Sequence, residues 1–189
     1  MFWKDFPKMI LLVSLYNFQG MMFGFFMSTL PIIFKPYLSY TQIGTIMMCA
    51  IPFSFKLLWS PFVEFYYFKR IGKRRSWIIP TQFTMCIILF YLKMNVERLL
   101  IEQEVKFLAI LLTFFVFIIT CQDIAVDSWA LEILHPCNVT YGSSCQSIGM
   151  SIGFFISTSL FISLNSVEFS AKWIYWTELT ESMKPVLTF

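Results

Sequence analysis

The feature that most constrains this chain is a set of long, unbroken apolar runs, and the run that begins near Phe107 is among the longest. A helix needs about 20 predominantly apolar residues to cross a bilayer. The runs are continuous rather than alternating at every second residue, which argues against a transmembrane β-barrel. Only 13% of the 189 residues are charged, against about a quarter in an ordinary soluble domain. The sequence therefore predicts an all-α polytopic membrane protein.

Five transmembrane helices are predicted, and we treat residues 1–189 as one transmembrane domain. The approximate bounds of the five spans are 9–34, 41–67, 77–92, 107–130 and 143–164. Pro52 and Pro61 interrupt the second span, and each proline frees backbone carbonyls that must be satisfied inside the protein. The third span is short for a crossing. Residues 165–189 combine aromatic and charged side chains, which predicts an interfacial tail.

Two pairs of glycines predict close contacts between helices. Gly20 and Gly24 lie in the first span, and Gly149 and Gly153 lie in the fifth. Small residues four positions apart share one face of a helix and let a neighbouring backbone approach closely. We interpret both pairs as packing residues.

A basic segment predicts which end of the bundle faces the cytosol. Residues 69–75 hold five Lys or Arg side chains in seven positions, and Lys4 and Lys8 precede the first span. Short basic loops remain in the cytoplasm, so this loop and the N-terminus are expected there. The glycosylation sequon at Asn138 would then be cytosolic and unmodified.

Three charged residues inside the predicted spans form the candidate site. Asp123 and Asp127 are four residues apart and therefore lie on one face of a helix, together with Thr120. Lys56 lies between the two prolines of the second span. Charged groups at this depth are costly and mark functional sites by default. Lys56 either forms a structural ion pair, with Asp123 or Asp127, or faces an anionic substrate.

No catalytic residue, metal site or cofactor is predicted. The five cysteines show no metal-binding spacing and are interpreted as small packing residues. The single histidine, His135, lies beside a proline and has no recognisable partner for catalysis. A membrane-embedded acyltransferase that uses His135 is therefore disfavoured, and an enzyme is not expected.

Three segments together resemble the acetyl-coenzyme A transporter family, a branch of the major facilitator superfamily. They are residues 15–20, 52–61 and 121–131, and the match continues through 72–77, 80–82, 138–141 and 144–149. The resemblance implies a carrier that moves acetyl-coenzyme A from the cytosol into the lumen of the endoplasmic reticulum or Golgi. Because members have about twelve spans, it also implies that this chain is the N-terminal part only.

The resemblance suggests two groups of site residues. Coenzyme A carries phosphates, so the expected substrate path needs a cation and is lined by Lys56, Asn17, Gln19 and Gln122. Carboxylates would repel those phosphates, so a gate that pairs and releases in alternate conformations is expected from Asp123, Asp127, Glu64, Arg74 and Arg75. Plain structural pairing and proton coupling are the alternatives for the two aspartates.

Two readings of the whole chain remain open at this level. It is either the N-terminal half of a transporter, inactive alone, or a truncated membrane protein that regulates a full-length partner. The expected partners are acetyl-coenzyme A, the lipid bilayer and either the missing C-terminal half or a full-length copy, with no nucleic acid.

Overall fold

A computed structural model describes residues 2–70 and 72–165, and this part of the chain consists of helices and short connections without a strand. Four helices are long and apolar enough to cross a membrane, and a bent helix pair makes a fifth if it counts as one span. The prediction of an all-α polytopic membrane protein is therefore confirmed. The predicted tail, apart from Asn165, lies outside the described residues.

The first span is one continuous rod with a widened turn inside it. It is built from Phe2–Gly24, a π-helical stretch Phe25–Thr29 and a last segment Leu30–Phe34. Pro31 cannot donate a hydrogen bond to the preceding turn, and the π-helical stretch lies immediately before its segment. A short loop follows, and the Ser39 hydroxyl accepts a hydrogen bond from the Gln42 backbone at the start of the next helix.

The second span is broken in its middle. It comprises helix Tyr40–Met47, a 3₁₀ turn Met48–Ala50, a short helix Ile51–Ser54 and helix Lys56–Phe65. Its two halves are bent by 51°. The break falls at Phe55, three residues after Pro52, whereas Pro61 stays inside the helix. Lys56 is consequently the first residue after the break.

The third helix is longer than predicted. It runs from Arg75 to Ile101, of which Arg75–Val96 has the composition of a span, so the predicted loop 93–106 shrinks to three residues. Lys93 and Arg98 are exposed while Leu100 is buried. The charges therefore lie on the outer face of a helix whose inner face remains apolar.

The fourth helix, Val105–Ile133, is the centre of the bundle. It contacts the first, second, third and fifth spans. Its first half packs in a core around Leu108, Leu112 and Phe115. Its second half, with Ile124 and Val126, belongs to a second core cluster nearer the other end. This central position holds the Asp123–Asp127 face against its neighbours.

The last described helix, Tyr141–Asn165, runs parallel to the first span and touches it closely. A Cβ added at Gly20 would overlap the backbone of Met150, and one added at Gly153 would overlap the carbonyl of Asn17. At Gly149 it would lie 2.7 Å from the Tyr16 Cβ, and at Gly24 it would lie 3.0 Å from the Phe154 Cα. All four glycines thus lie in a single contact between the two helices.

Candidate functional site

Lys56 reaches both intramembrane aspartates. Its Nζ donates to Asp123 Oδ2 at 3.1 Å and to Asp127 Oδ2 at 3.2 Å. The break at Phe55 places Lys56 at the start of a helix that faces the fourth span, and the four-residue spacing stacks the two carboxylates on one face. One cation therefore bridges two acids within the bundle.

Two further spans contribute donors to Asp127. The Tyr16 hydroxyl donates to Asp127 Oδ1 at 2.8 Å, and the Gln146 amide donates to the same oxygen at 3.0 Å. Both oxygens of Asp127 are therefore occupied. Lys56, Asp123, Asp127, Tyr16 and Gln146 form what we call the central cluster, which joins the first, second, fourth and fifth spans.

Asp123 is less well satisfied than Asp127. Its side chain is 2% exposed, and within the described part of the chain Oδ2 accepts from Lys56 alone. Oδ1 is buried and has no hydrogen-bond partner among the described residues. The central cluster thus holds two acids, one base and one orphaned carboxylate oxygen.

Lys56 remains accessible although it is paired. Its side chain is 34% exposed, and Nζ lies 5.9 Å from the centroid of the Phe53 ring. A cation at this separation from an aromatic face is stabilised by the electron density of the ring. Lys56 is therefore only partly enclosed by the described helices.

The basic loop forms a second, separate ion-pair network. The Arg74 guanidinium donates to Glu64 at 2.7 Å and makes a bidentate contact with Glu132 at 2.6 and 3.2 Å. Lys73 also pairs with Glu64. Burial lowers the pKa of Arg74, but hydrogen bonds with Glu132 and Glu64 outweigh that effect and the net pKa is raised. Arg74 thereby ties the ends of the second and fourth spans to the loop between the second and third.

The predicted gate residues separate into these two networks. Asp123 and Asp127 pair with Lys56, whereas the loop arginine Arg74 pairs with Glu64 and Glu132. Arg75 is exposed and joins no ion pair with the described residues. Sequence reasoning did not single out Glu132, because nothing in its local sequence indicates an arginine from another span.

Gly72 allows the loop to turn so that Arg74 points inward. Its φ is +96°, a conformation that side-chain-bearing residues rarely adopt. The Ser76 hydroxyl then bonds to the carbonyls of Gly72 and Phe68. Because this turn is short, Glu64 reaches Arg74 although the two residues are ten positions apart.

The predicted polar residues of the first span lie on different surfaces. Gln19 lines a cavity of about 350 Å³ between the first, third and fourth spans, together with Gln82 and Gln122. The Gln19 amide is buried without a hydrogen-bond partner among the described residues. Asn17 instead lies in the contact with the fifth span. The side chains of the central cluster do not line this cavity.

A third polar group fixes the beginning of the first span. Asp5 accepts from Lys8 at 2.7 Å, from the His135 backbone at 3.1 Å and from the Asn138 amide at 2.8 Å. Lys8 also donates to the carbonyl of Ile133 at 2.7 Å. The N-terminus, the loop after the fourth span and the basic loop therefore share one end of the bundle, which we call the basic end.

The comparisons with known proteins identify the family. A family model described as acetyl-coenzyme A transporter 1 matches residues 8–187, nearly the whole chain. The chain belongs to this family. The resemblance carried by segments 15–20, 52–61 and 121–131 is thereby confirmed.

Curated relatives of this acetyl-coenzyme A transporter family member are much longer. An uncharacterized membrane protein of Saccharomyces cerevisiae, YBR220C, is 38% identical over 89% of this chain and 34% of its own length. An uncharacterized protein of Schizosaccharomyces pombe, C21B10.09, is 33% identical over 86% of this chain and 32% of its own length. The chain thus spans about a third of these fungal relatives.

The name of a bacterial relative indicates a transport protein. The anhydromuropeptide permease of Escherichia coli K12 is 27% identical over 71% of this chain and 26% of its own length. No solved structure matches the chain. Family and relatives together support a multi-pass membrane protein of the transporter class.

Proposed function

We propose that this chain is part of a major facilitator carrier that moves acetyl-coenzyme A from the cytosol into the lumen of the endoplasmic reticulum or Golgi. The observation that carries the proposal is the family match over residues 8–187. The substrate is a polyanion, and its path through the bilayer requires at least one cation. Lys56 supplies a cation that is both deep in a span and 34% exposed.

In this proposal the substrate replaces the two aspartates as the ion-pair partner of Lys56. Asp123 and Asp127 hold its ammonium group at 3.1 and 3.2 Å. A phosphate that approaches the exposed side competes with the two carboxylates for the same three N–H donors. Substrate binding thus weakens the link between the second and fourth spans.

The Arg74 network provides the second part of the gate. Arg74 joins Glu64 and Glu132 at the basic end, where it closes the gap between the second and fourth spans. Opening of a carrier towards the cytosol requires such a contact to break, and closing requires it to form. Because Arg74 and Lys56 link the same two spans, both contacts respond to one movement.

We expect the 189 residues alone not to transport. A facilitator needs two halves that face each other across a central path, and the chain covers 34% of its yeast relative. In this proposal residues 1–189 supply an incomplete N-terminal half. The second candidate function is a non-transporting membrane protein that binds or regulates a full-length partner.

The decisive experiment measures uptake of labelled acetyl-coenzyme A by sealed vesicles that carry the whole gene product. Lys56→Ala is expected to lower uptake at least about 10-fold, because it removes a charge from a partly buried, hydrogen-bonded pair. Lys35→Ala is the matched control, since Lys35 is an exposed lysine in the loop after the first span. Absence of uptake by the unmodified protein would refute the substrate assignment.

Two further outcomes of the same assay separate the candidates. Equal uptake by Lys56→Ala and the unmodified protein would show that Lys56 does not line the substrate path. Uptake by vesicles that contain only the 189-residue chain would contradict the need for a second half.

The proposed orientation predicts that Cys137 is accessible from the cytosol. Cys137 is exposed and lies at the basic end, whereas Cys49, Cys121 and Cys145 are buried. Cys86 is exposed but lies within the third span, which a membrane-impermeant reagent does not enter. In sealed microsomes, a membrane-impermeant maleimide should therefore label the chain at Cys137.

The control is Cys137→Ser, which should abolish that labelling. Labelling that appears only after the membrane is permeabilised would reverse the orientation. A glycan on Asn138 would do the same, and it would also require the Asn138 amide to leave its hydrogen bond with Asp5.

A further inference from the structure

The charges of the central cluster do not balance when every group is ionised. Asp123 and Asp127 share the single ammonium of Lys56, so one negative charge is left over. The surplus lies within a membrane span, where an uncompensated charge is costly. The cluster must therefore bind either a further cation or a proton.

The hydrogen bonds indicate which of the two carboxylates is less able to carry the surplus negative charge. Asp127 Oδ1 accepts from Tyr16 and Gln146, and its Oδ2 accepts from Lys56. Asp123 has the Lys56 contact alone, and its Oδ1 is buried without a partner among the described residues. An ionised oxygen in that state costs more free energy than a neutral hydroxyl would.

Among the described residues, no second cation lies beside Asp123. The charged groups that act on it are Asp127 from its own helix and Lys56 from the second span. Tyr16 of the first span faces both aspartates, and the Cys145 thiol of the fifth span faces Tyr16. The third span brings Thr81 to the neighbouring Gln122 rather than a charged side chain to Asp123.

We propose that Asp123 is a proton-binding site, neutral while Lys56 bridges the two aspartates. The proton comes from water and bonds to Oδ1, while Oδ2 continues to accept from Lys56. The cluster then contains Lys56 as a cation, Asp127 as an anion and Asp123 as a neutral acid, so its net charge is zero.

The same geometry links proton binding to anion binding. When an anion takes the ammonium of Lys56, Asp127 loses its counter-ion and takes up a second proton. By thermodynamic reciprocity, protonation of the aspartates then favours binding of the anion. The nature of that anion rests on the proposed function, whereas the protonation of Asp123 does not.

The test is the infrared spectrum of the 189-residue chain in lipid nanodiscs at neutral pH. A protonated carboxyl group gives a carbonyl band above the amide I region, which moves to lower frequency in deuterium oxide. We expect this band in the unmodified chain, its loss in Asp123→Asn and its retention in Asp127→Glu, which keeps a second acid beside Lys56. Absence of the band, or a band that Asp123→Asn leaves unchanged, would overturn the proposal.

Lys56→Met tests the link to anion binding without a ligand. With the cation gone, both aspartates should be neutral, so the area of the band should roughly double. An unchanged area would refute the link while leaving the site itself intact. If Asp123→Asn does not fold, the retained band of Asp127→Glu and the doubled band of Lys56→Met still decide the matter. Because no transport is measured, failure here is distinct from failure of the acetyl-coenzyme A proposal.

Discussion

Gly153→Ala is expected to lower the free energy of unfolding by roughly 3 kcal/mol, the upper end of the cost of overpacking a tight interface. The new methyl group would overlap the carbonyl of Asn17, and backbone atoms of a packed helix cannot turn aside as a flexible side chain can. The first and fifth spans would have to separate along their whole contact. Denaturant titration of the purified chain in detergent measures the effect.

Gly44→Ala is the matched control for this substitution. Gly44 is also helical, but a Cβ there meets nothing within 4 Å. Alanine forms helices better than glycine by about 1 kcal/mol, so this variant should be as stable as the parent or more so. Equal effects at Gly44 and Gly153 would contradict the close contact between the two helices.

Lys56→Met is expected to lower the free energy of unfolding by about 2 kcal/mol. Removal of one partner from a buried ion pair typically costs about 3–5 kcal/mol, and we reduce this because Lys56 is 34% exposed. The cost arises mainly from Asp127, which is left without a counter-ion. The double variant Lys56→Met/Asp127→Asn should therefore be more stable than Lys56→Met alone.

An exposed ion pair supplies the control for that measurement. Arg98 and Glu102 pair at 2.9 Å on the surface of the third helix, with side chains that are 73% and 47% exposed. Arg98→Gln should leave the unfolding midpoint unchanged within error, because solvent screens such pairs. If the double variant at Lys56 and Asp127 were the least stable of all, Asp127 would not be the source of the cost.

The class of fold could be predicted from the sequence because continuous apolar runs leave few alternatives. The end of the third helix could not be predicted from the sequence. Lys93 and Arg98 indicate a loop when charge is counted along the chain, yet they occupy one face of a helix whose other face carries Leu100. The break in the second span was expected at the prolines, and it occurs at Phe55, where the backbone leaves the helical conformation.

The candidate site was predictable in part, for a related reason. Asp123 and Asp127 share a face by their spacing alone, and Lys56 stands out as a cation within a span. Tyr16 and Gln146 could not be assigned to them, because hydropathy does not fix the rotation of the first and fifth helices. Glu132 was missed because its partnership with Arg74 depends on three segments that are distant in sequence.

The contact between the first and fifth spans has a consequence for biosynthesis. Gly20 of the first span meets the backbone of Met150 in the fifth span, about 130 residues later in the chain. At about 5–20 residues per second, the first helix waits for its partner in the bilayer for on the order of 10 seconds. During that interval its glycine face is open to lipid. Substitutions at Gly149 or Gly153 would prolong this exposure, so they should reduce the amount of protein that accumulates before they alter any activity.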